Sequence, residues 1–261
     1  FFAVSLSSNI ISTDPFLLLF WSSSLLFFKI CLNKKSIKNI ILTSIFVALG
    51  FYAKYAMIYF FLSSAVLILF TNNKKELIKS ILIIFFFVLI LISPHLYWVY
   101  STNWVTFIHT GDNLNWNASL YNFEQLINFI VSQFFISTPI ILFIFIKQFA
   151  KTKKFIQSYS FEIAYSLPIL VLITAQSFIS RANANWSSVA FIGVTMIVVN
   201  VLYKNYKKIF LLNTALGLAV LILVSIFIIN PPNISPFDKL QGMKDAAKEI
   251  QFLDESLNSD Y

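Results

Sequence analysis

Apolar positions along this chain come in long unbroken blocks, not in strand-like alternation or heptads. Stretches free of charge cover 15–28, 39–53, 55–73, 80–111, 125–146, 163–180, 182–203 and 209–229. The hydrocarbon core of a bilayer needs about 20 mostly apolar residues per helix. The pattern therefore predicts eight membrane spans, near 15–32, 39–53, 55–71, 80–98, 125–147, 163–180, 186–203 and 209–229. The second is short, so it is expected to be tilted or broken. Residues 1–11 read as the tail of an earlier span. The chain begins at Phe1 with no charged n-region, so it is not a signal peptide, and the first helices of the protein are expected to be missing from it. No internal repeat or glycine-rich phosphate loop interrupts the pattern. The expected fold is all-α: a multi-span domain over 1–230, then the start of an extracytoplasmic soluble segment over 231–261. In that tail Met243, Ala246, Ala247, Ile250 and Leu253 keep helical spacing among charged residues, which predicts an amphipathic helix over 236–256.

Composition narrows the class. Of 261 residues, 58% are apolar or aromatic, 11% are charged and 30 are Phe; mean hydropathy is +0.79. Soluble domains average about 25% charged. A soluble enzyme, a disordered chain and a disulfide scaffold are excluded, the last also because Cys31 is the single cysteine. The net charge of +8 does not point to nucleic acid. Arg181 is the one arginine, and the lysines lie between apolar blocks instead of lining one face. Thirteen of the nineteen basic residues fall in four connections: Lys34, Lys35 and Lys38; Lys74, Lys75 and Lys79; Lys147, Lys151, Lys153 and Lys154; Lys204, Lys207 and Lys208. These alternate with nearly lysine-free connections, so the positive-inside rule assigns all four to the cytoplasm. The outer side then receives Asp14, Lys54, residues 99–124, the turn Arg181–Trp186 and the tail from 230. Trp98, Trp104, Trp116 and Trp186 all fall on that side, as an interfacial aromatic belt does.

The unusual polar residues collect there too. Ionisable groups at membrane depth are costly and point to function by default. Asp14 precedes Pro15 at the start of a span, which suits a helix N-cap as well as a catalytic carboxylate. Lys54 sits between two apolar blocks on the side where the rule disfavours lysine. It reads either as a snorkelling side chain or as a cation held for a phosphate. Arg181 could clamp a phosphate bidentately or anchor the interface. His109 and Asp112 share the segment Trp104–Asp112, whose residues 102–109 could lie along the membrane surface; His95 reads as structural. A divalent metal is possible, but His109 lacks a convincing set of partner ligands, so zinc is a weak expectation. With no Ser-His-Asp set, no HExxH and only short cytoplasmic loops, any enzyme here must act at the outer face on a substrate delivered within the membrane.

Several segments, in order along the chain, resemble bacterial membrane glycosyltransferases of the dolichyl-phosphate-mannose–protein mannosyltransferase superfamily, alongside the lipid A aminoarabinose transferases. Ser12-Thr13-Asp14-Pro15-Phe16-Leu17-Leu18-Leu19-Phe20-Trp21 is similar to a "T-D-x-P-L-L-L-F-W" stretch, and Ala48-Leu49-Gly50-Phe51-Tyr52-Ala53-Lys54-Tyr55 to "G-L-x-x-L-x-K-Y". Ser93-Pro94-His95-Leu96-Tyr97-Trp98 with Asn103-Trp104-Val105-Thr106-Phe107 resembles "S-P-x-x-x-W-N…W-x-S-F", although Val99 stands where the asparagine follows the tryptophan. Asn185-Trp186 resembles a later "N-W" loop, and Pro236–Gly242 the opening of the outer C-terminal segment. The resemblance implies a GT-C-type helical bundle and a polyprenyl-phosphate sugar as donor. It implies inversion at the anomeric carbon and a lipid, glycan or protein hydroxyl as acceptor. It further implies Asp14 as an acidic position of the site and Lys54 as a donor-phosphate ligand; by their chemistry and outer position, Arg181 or His109 is expected to aid Lys54, and Trp104, Asp112, Asn185 and Trp186 to form a substrate loop. The family's best-known catalytic carboxylate lies in a first outer loop expected before this chain, so the chain alone is expected to be inactive. A transporter or lipid flippase is the rival class, which predicts inverted repeats and ionisable groups at mid-span. An O-antigen ligase or polymerase, which shares lipid-linked donors, and a purely structural subunit are further alternatives. The Ile-, Phe-, Asn- and Lys-rich composition suggests an AT-rich bacterial genome and hence an inner-membrane location.

Overall fold

The computed structural model describes residues 12–34, 36–114, 121–137, 143–147, 153–205, 207–229 and 249–252. Among these residues every regular element is helical. In chain order they are α1 (Asp14–Lys34), α2 (Ile37–Ala53), α3 (Tyr59–Phe70), α4 (Lys74–Ser101), α5 (Val105–Leu114) and α6 (Phe123–Ser137). They continue as α7 (Lys153–Ser158), α8 (Ser160–Ala164), α9 (Leu167–Ile179), α10 (Ala190–Asn205) and α11 (Lys207–Ile229). One-turn 3-10 helices lie at Tyr55–Ile58 and Ala184–Ser187. The all-α, polytopic membrane class expected from the sequence holds. Among the described residues four helices are long and apolar enough to cross a bilayer: Asp14–Lys34, Lys74–Ser101, Ser160–Ile179 and Lys207–Phe227. Ile37–Ala53, Tyr55–Phe70 and Ala190–Lys204 are shorter apolar helices. Trp116 and most of the expected tail helix over 236–256 lie outside the described residues, of which 249–252 are helical.

Two boundaries differ from the pattern-based expectation. The short second span is one unbroken helix of 17 residues, about 26 Å at 1.5 Å per residue, close to the ~30 Å of a hydrocarbon core. Helix α4 begins at Lys74, so Lys74, Lys75 and Lys79 ride its first turns instead of lying in a loop. Lysine is a good helix former, and Glu76 in the first turn favours the positive end of the helix dipole.

Helix α1 packs along α2, α2 against α4, and α3 against α4, α8 and α9, while α10 lies on α8. An aromatic knot holds this interior. Trp21 and Phe28 of α1, Phe60 of α3 and Tyr165 between α8 and α9 are all fully buried, with ring centroids 5.4–6.3 Å apart. The hydroxyls of Ser64 and Tyr165 hydrogen-bond within it. Gly193 lets α10 approach α8: a Cβ there would fall 2.2 Å from Ser166 Oγ and 2.7 Å from the Glu162 carbonyl oxygen. At the lysine-rich end of α1, Lys29 is ion-paired with the buried Glu162 of α8 and lies 5.2 Å from the centroid of the Phe161 ring. Outward faces remain apolar, as on α4 with Phe85, Phe86 and Ile90, which is what lipid contact requires.

Pro94 lies inside α4. It has no N–H for the Ile90 carbonyl, and its ring presses on that carbonyl. The Ser93 hydroxyl donates to Ile90 O at 2.8 Å instead, the local repair by which membrane helices tolerate proline. Tyr52 of α2 donates to the neighbouring Leu91 carbonyl at 3.1 Å. The proline turn is thereby tied to α2, and His95 follows it directly.

Candidate active site

Three of the polar residues singled out in the sequence, Asp14, Lys54 and Asn185, meet at one end of the bundle, opposite the lysine-rich turns. Helix α2 stops at Ala53, and Lys54 is the single extended residue (φ −164°, ψ 136°) before the 3-10 turn Tyr55–Ile58. Its N–H donates to Gly50 O at 2.9 Å, and its carbonyl accepts from Met57 N–H at 3.1 Å. Both backbone groups are satisfied, and the side chain is free to leave the helix end. Gly50 makes the turn this tight: a Cβ there would lie 2.6 Å from Met57 Sδ.

Lys54 Nζ donates to Asp14 Oδ1 at 2.7 Å, and Asn185 Nδ2 donates to Asp14 Oδ2 at 2.6 Å. The side chains of Asp14 and Lys54 are 13% and 26% exposed, so the pair is largely shielded yet open on one side. Asp14 is not the helix cap that the Asp-Pro sequence suggested. The first helical bond runs from Leu17 N–H to the Thr13 carbonyl, which makes Thr13 the cap. The carboxylate instead turns across the bundle, because a cation and an amide donor face it there. Asn185 belongs to the 3-10 turn Ala184–Ser187. The buried Gln133 of α6 pins that turn, donating to Ala184 O at 3.3 Å and accepting from Ser187 Oγ at 2.6 Å.

Lys54 borders two hollows. One, of about 710 Å³, is lined by Thr13, Tyr52, Lys54, Tyr55, His95 and His109, among others. The other, of about 350 Å³, lies between Lys54, Tyr55, Tyr59, Thr110 and Trp186. A third, of about 550 Å³, shares Thr13, Tyr52 and Ala53 with the first and continues between α1 and α2 past Phe16, Phe20 and Leu49. A largely apolar hollow with Lys54, His95 and His109 on its wall thus adjoins an apolar groove.

Helix α5 roofs the first hollow. Its entry is a tight reversal: Asn103 and Trp104 adopt φ of 55° and 60°, Trp104 N–H donates to Val99 O at 2.9 Å, and Asn103 N–H donates to Tyr100 O at 3.2 Å. This is the Schellman arrangement, with asparagine in the left-handed position usually given to glycine. A tryptophan at positive φ is strained, at about 1–3 kcal/mol. Tyr55 fastens the roof. Its hydroxyl lies 3.0 Å from Thr106 Oγ1 and 2.8 Å from His95 Nε2, and its ring stacks on Phe107 at 5.2 Å. One hydroxyl proton cannot serve both partners, so when Tyr55 donates to Thr106 the histidine Nε2 is the donor to Tyr55. His95 also stacks on Trp98 at 5.7 Å.

Of the residues expected to form a site, Asp14, Lys54 and Asn185 are in direct contact, and His109 and Trp186 line the hollows beside Lys54. Trp104 is exposed on the roof, 5.8 Å from Phe107. Asp112 is exposed on α5, and Arg181 is exposed and lines none of the three hollows. Tyr55, His95 and Gln133 were missed as site residues; the Lys-Tyr pair and the Pro-His dipeptide were the available signals for the first two. Among the described residues no three His, Cys, Asp or Glu side chains cluster as a metal site.

Residues 1–98 match the family described as dolichyl-phosphate-mannose-protein mannosyltransferase. The chain is also 25% identical over 210 residues to the lipid A galacturonosyltransferase RgtD of Rhizobium johnstonii (strain DSM 114642 / LMG 32736 / 3841). The chain is thus similar to membrane glycosyltransferases over its first 98 residues and along the stretch shared with RgtD. The match to RgtD covers 78% of this chain and 44% of that relative. No solved structure matches. The family match takes in both halves of the Asp14–Lys54 contact.

Proposed function

We propose that this protein transfers a sugar from a polyprenyl-phosphate donor to a hydroxyl of a lipid or glycan at the outer face of a bacterial inner membrane. The observation that carries the reading is the Lys54–Asp14 pair, a shielded ion pair whose lysine lines a hollow that adjoins an apolar groove. The lipid A galacturonosyltransferase relative favours a lipid A-like glycolipid as acceptor.

In this reading the acceptor oxygen attacks the anomeric carbon with inversion as the bond from that carbon to the phosphate oxygen breaks. The electron pair leaves with the polyprenyl phosphate, and the acceptor's proton passes to a carboxylate. Lys54, with His109 beside the same chamber, stabilises the charge growing on the phosphate. Asp14 is the carboxylate that the described site offers to orient the acceptor or take its proton, a role worth about 10²–10⁴-fold. Arg181 acts as a second phosphate ligand only if its exposed side chain swings inward on binding. The groove past Phe16, Phe20 and Leu49 takes the first part of the isoprenoid, whose burial contributes about 25 cal/mol per Å².

The test is Lys54→Ala in full-length protein. With insertion and folding verified, donor affinity should fall and turnover should drop about 10²–10³-fold, as when one oxyanion-stabilising donor is removed. Unchanged affinity and turnover would refute the phosphate role.

A further inference from the structure

Both oxygens of Asp14 are taken in this structure, and both of their donors are groups that a phosphate would want. Lys54 Nζ and Asn185 Nδ2 approach Oδ1 and Oδ2 at 2.7 and 2.6 Å, the spacing of charge-assisted bonds to an anion. The two donors come from segments 131 residues apart in sequence, Lys54 between α2 and its 3-10 turn and Asn185 in the turn before α10. Asp14 enters between them from the first turn of α1, where the helix dipole also favours negative charge.

We propose that Lys54 and Asn185 form an anion cradle that Asp14 fills in the resting protein, and that the donor's phosphate binds by displacing this carboxylate. The proposal rests on the donor reading above. It makes Asn185 a phosphate ligand, and it makes Asp14 an internal competitor of the substrate until the phosphate arrives. The exchange keeps the charge in the cradle balanced: an anion leaves Lys54 as an anion takes it. The order of events follows. A carboxylate held by two donors is a poor hydrogen-bond acceptor for an incoming hydroxyl, and once released it has both oxygens available. The acceptor is thus engaged only after the donor has bound. The opening beside Lys54 gives the phosphate its approach, because Lys54 lines the 710 Å³ and 350 Å³ hollows and keeps 26% of its side chain exposed.

The experiment measures affinity of the full-length protein in detergent for a polyprenyl phosphate, with the uncharged polyprenol as the tail-only control. Asp14→Asn, which preserves shape and removes the competing charge, should bind the phosphate roughly tenfold tighter, the effect of releasing one hydrogen bond to a charged group. Affinity for the polyprenol should stay the same. Asn185→Leu and Lys54→Met should each bind the phosphate roughly tenfold more weakly. Asp14→Ser, which also lacks the charge, should repeat the tightening if Asp14→Asn inserts poorly. Unchanged or weaker phosphate binding by the Asp14 variants, with Lys54→Met still impaired, overturns the exchange and leaves the phosphate site standing. If Lys54→Met binds as wild type does, the donor reading itself fails, and the exchange with it. Tightening for the polyprenol as well as the phosphate would also overturn the proposal, since the gain would then come from the tail.

Discussion

Replacing Gly50 by alanine tests whether the Lys54 turn is as tightly built as its geometry says. The new Cβ would stand 2.6 Å from Met57 Sδ and 2.8 Å from Met57 Cγ, against an ordinary carbon contact of about 3.5–4.0 Å. Met57 must therefore retreat by about 1 Å. It is fully buried, so the displacement is an overpacking strain of about 1–3 kcal/mol. Alanine returns about 1 kcal/mol over glycine in helix propensity, leaving a net loss of about 0–2 kcal/mol. In a Met57→Ala background the obstacle is gone, and the same Gly50→Ala change should stabilise by the propensity term alone. The effect turns from loss to gain, and a double-mutant cycle should return a coupling equal to the strain, about 1–3 kcal/mol. The assay is equilibrium unfolding of the four proteins in mixed micelles. Because Met57 N–H bonds the Lys54 carbonyl, the strain also moves the lysine. A misplacement of about 1 Å at a reacting group can cost ~10²-fold, so Gly50→Ala should lose far more turnover than stability. Equal effects of Gly50→Ala in both backgrounds would refute the close contact and the positioning argument together.

Two further perturbations read other parts of the bundle. Lys29→Met strands the buried Glu162, whose side chain is 9% exposed, whereas Glu162→Gln leaves Lys29, 42% exposed, able to reach polar surroundings. The first should therefore destabilise by about 3 kcal/mol, the second by nearer 1 kcal/mol, and the double variant should recover most of the loss. Thermal denaturation in detergent ranks them, and equal losses would mean that the pair is not buried as described. Tyr55→Phe keeps the stack on Phe107 but removes the bonds to His95 and Thr106, about 1–2 kcal/mol of fastening. Hydrogen exchange across 105–114 should quicken severalfold, and unchanged exchange would mean that Tyr55 does not hold the roof.

What the sequence revealed and what it hid follow from range. The apolar helices were legible because a bilayer imposes one requirement, about 20 apolar residues, at every crossing; the expected spans are largely helical where described, with turns or bends at Tyr165, Ser166, Ser180, Ser188 and Val189. Lys54 stood out for the same reason: one lysine between two apolar blocks violates a local rule. Asp14 was identified as important, but cap and site residue could not be told apart, because the Asp-Pro pair looks the same whether the carboxylate turns back on its own helix or across to Lys54. Asn185 could be placed on an outer loop, but its bond to a residue 171 positions earlier has no local signature. The Lys29–Glu162 pair escaped for that reason and one more: a lysine near the end of an apolar block looks like an ordinary flank. Arg181 was favoured on chemistry alone, since a lone arginine on the outer side suits a phosphate, yet the turn that carries it presents Asn185 to the site instead.

The account stands or falls on which face of the bilayer the Lys54 chamber opens to. Thr110 borders both hollows beside Lys54 and is exposed, while Cys31 is buried, so a cysteine at 110 gives a clean target for a membrane-impermeant maleimide in intact cells. Thr110→Cys should label without permeabilisation, and Asn73→Cys at the lysine-rich end of α4 only after it. The reverse pattern would put the chamber on the cytoplasmic side and contradict transfer at the outer face.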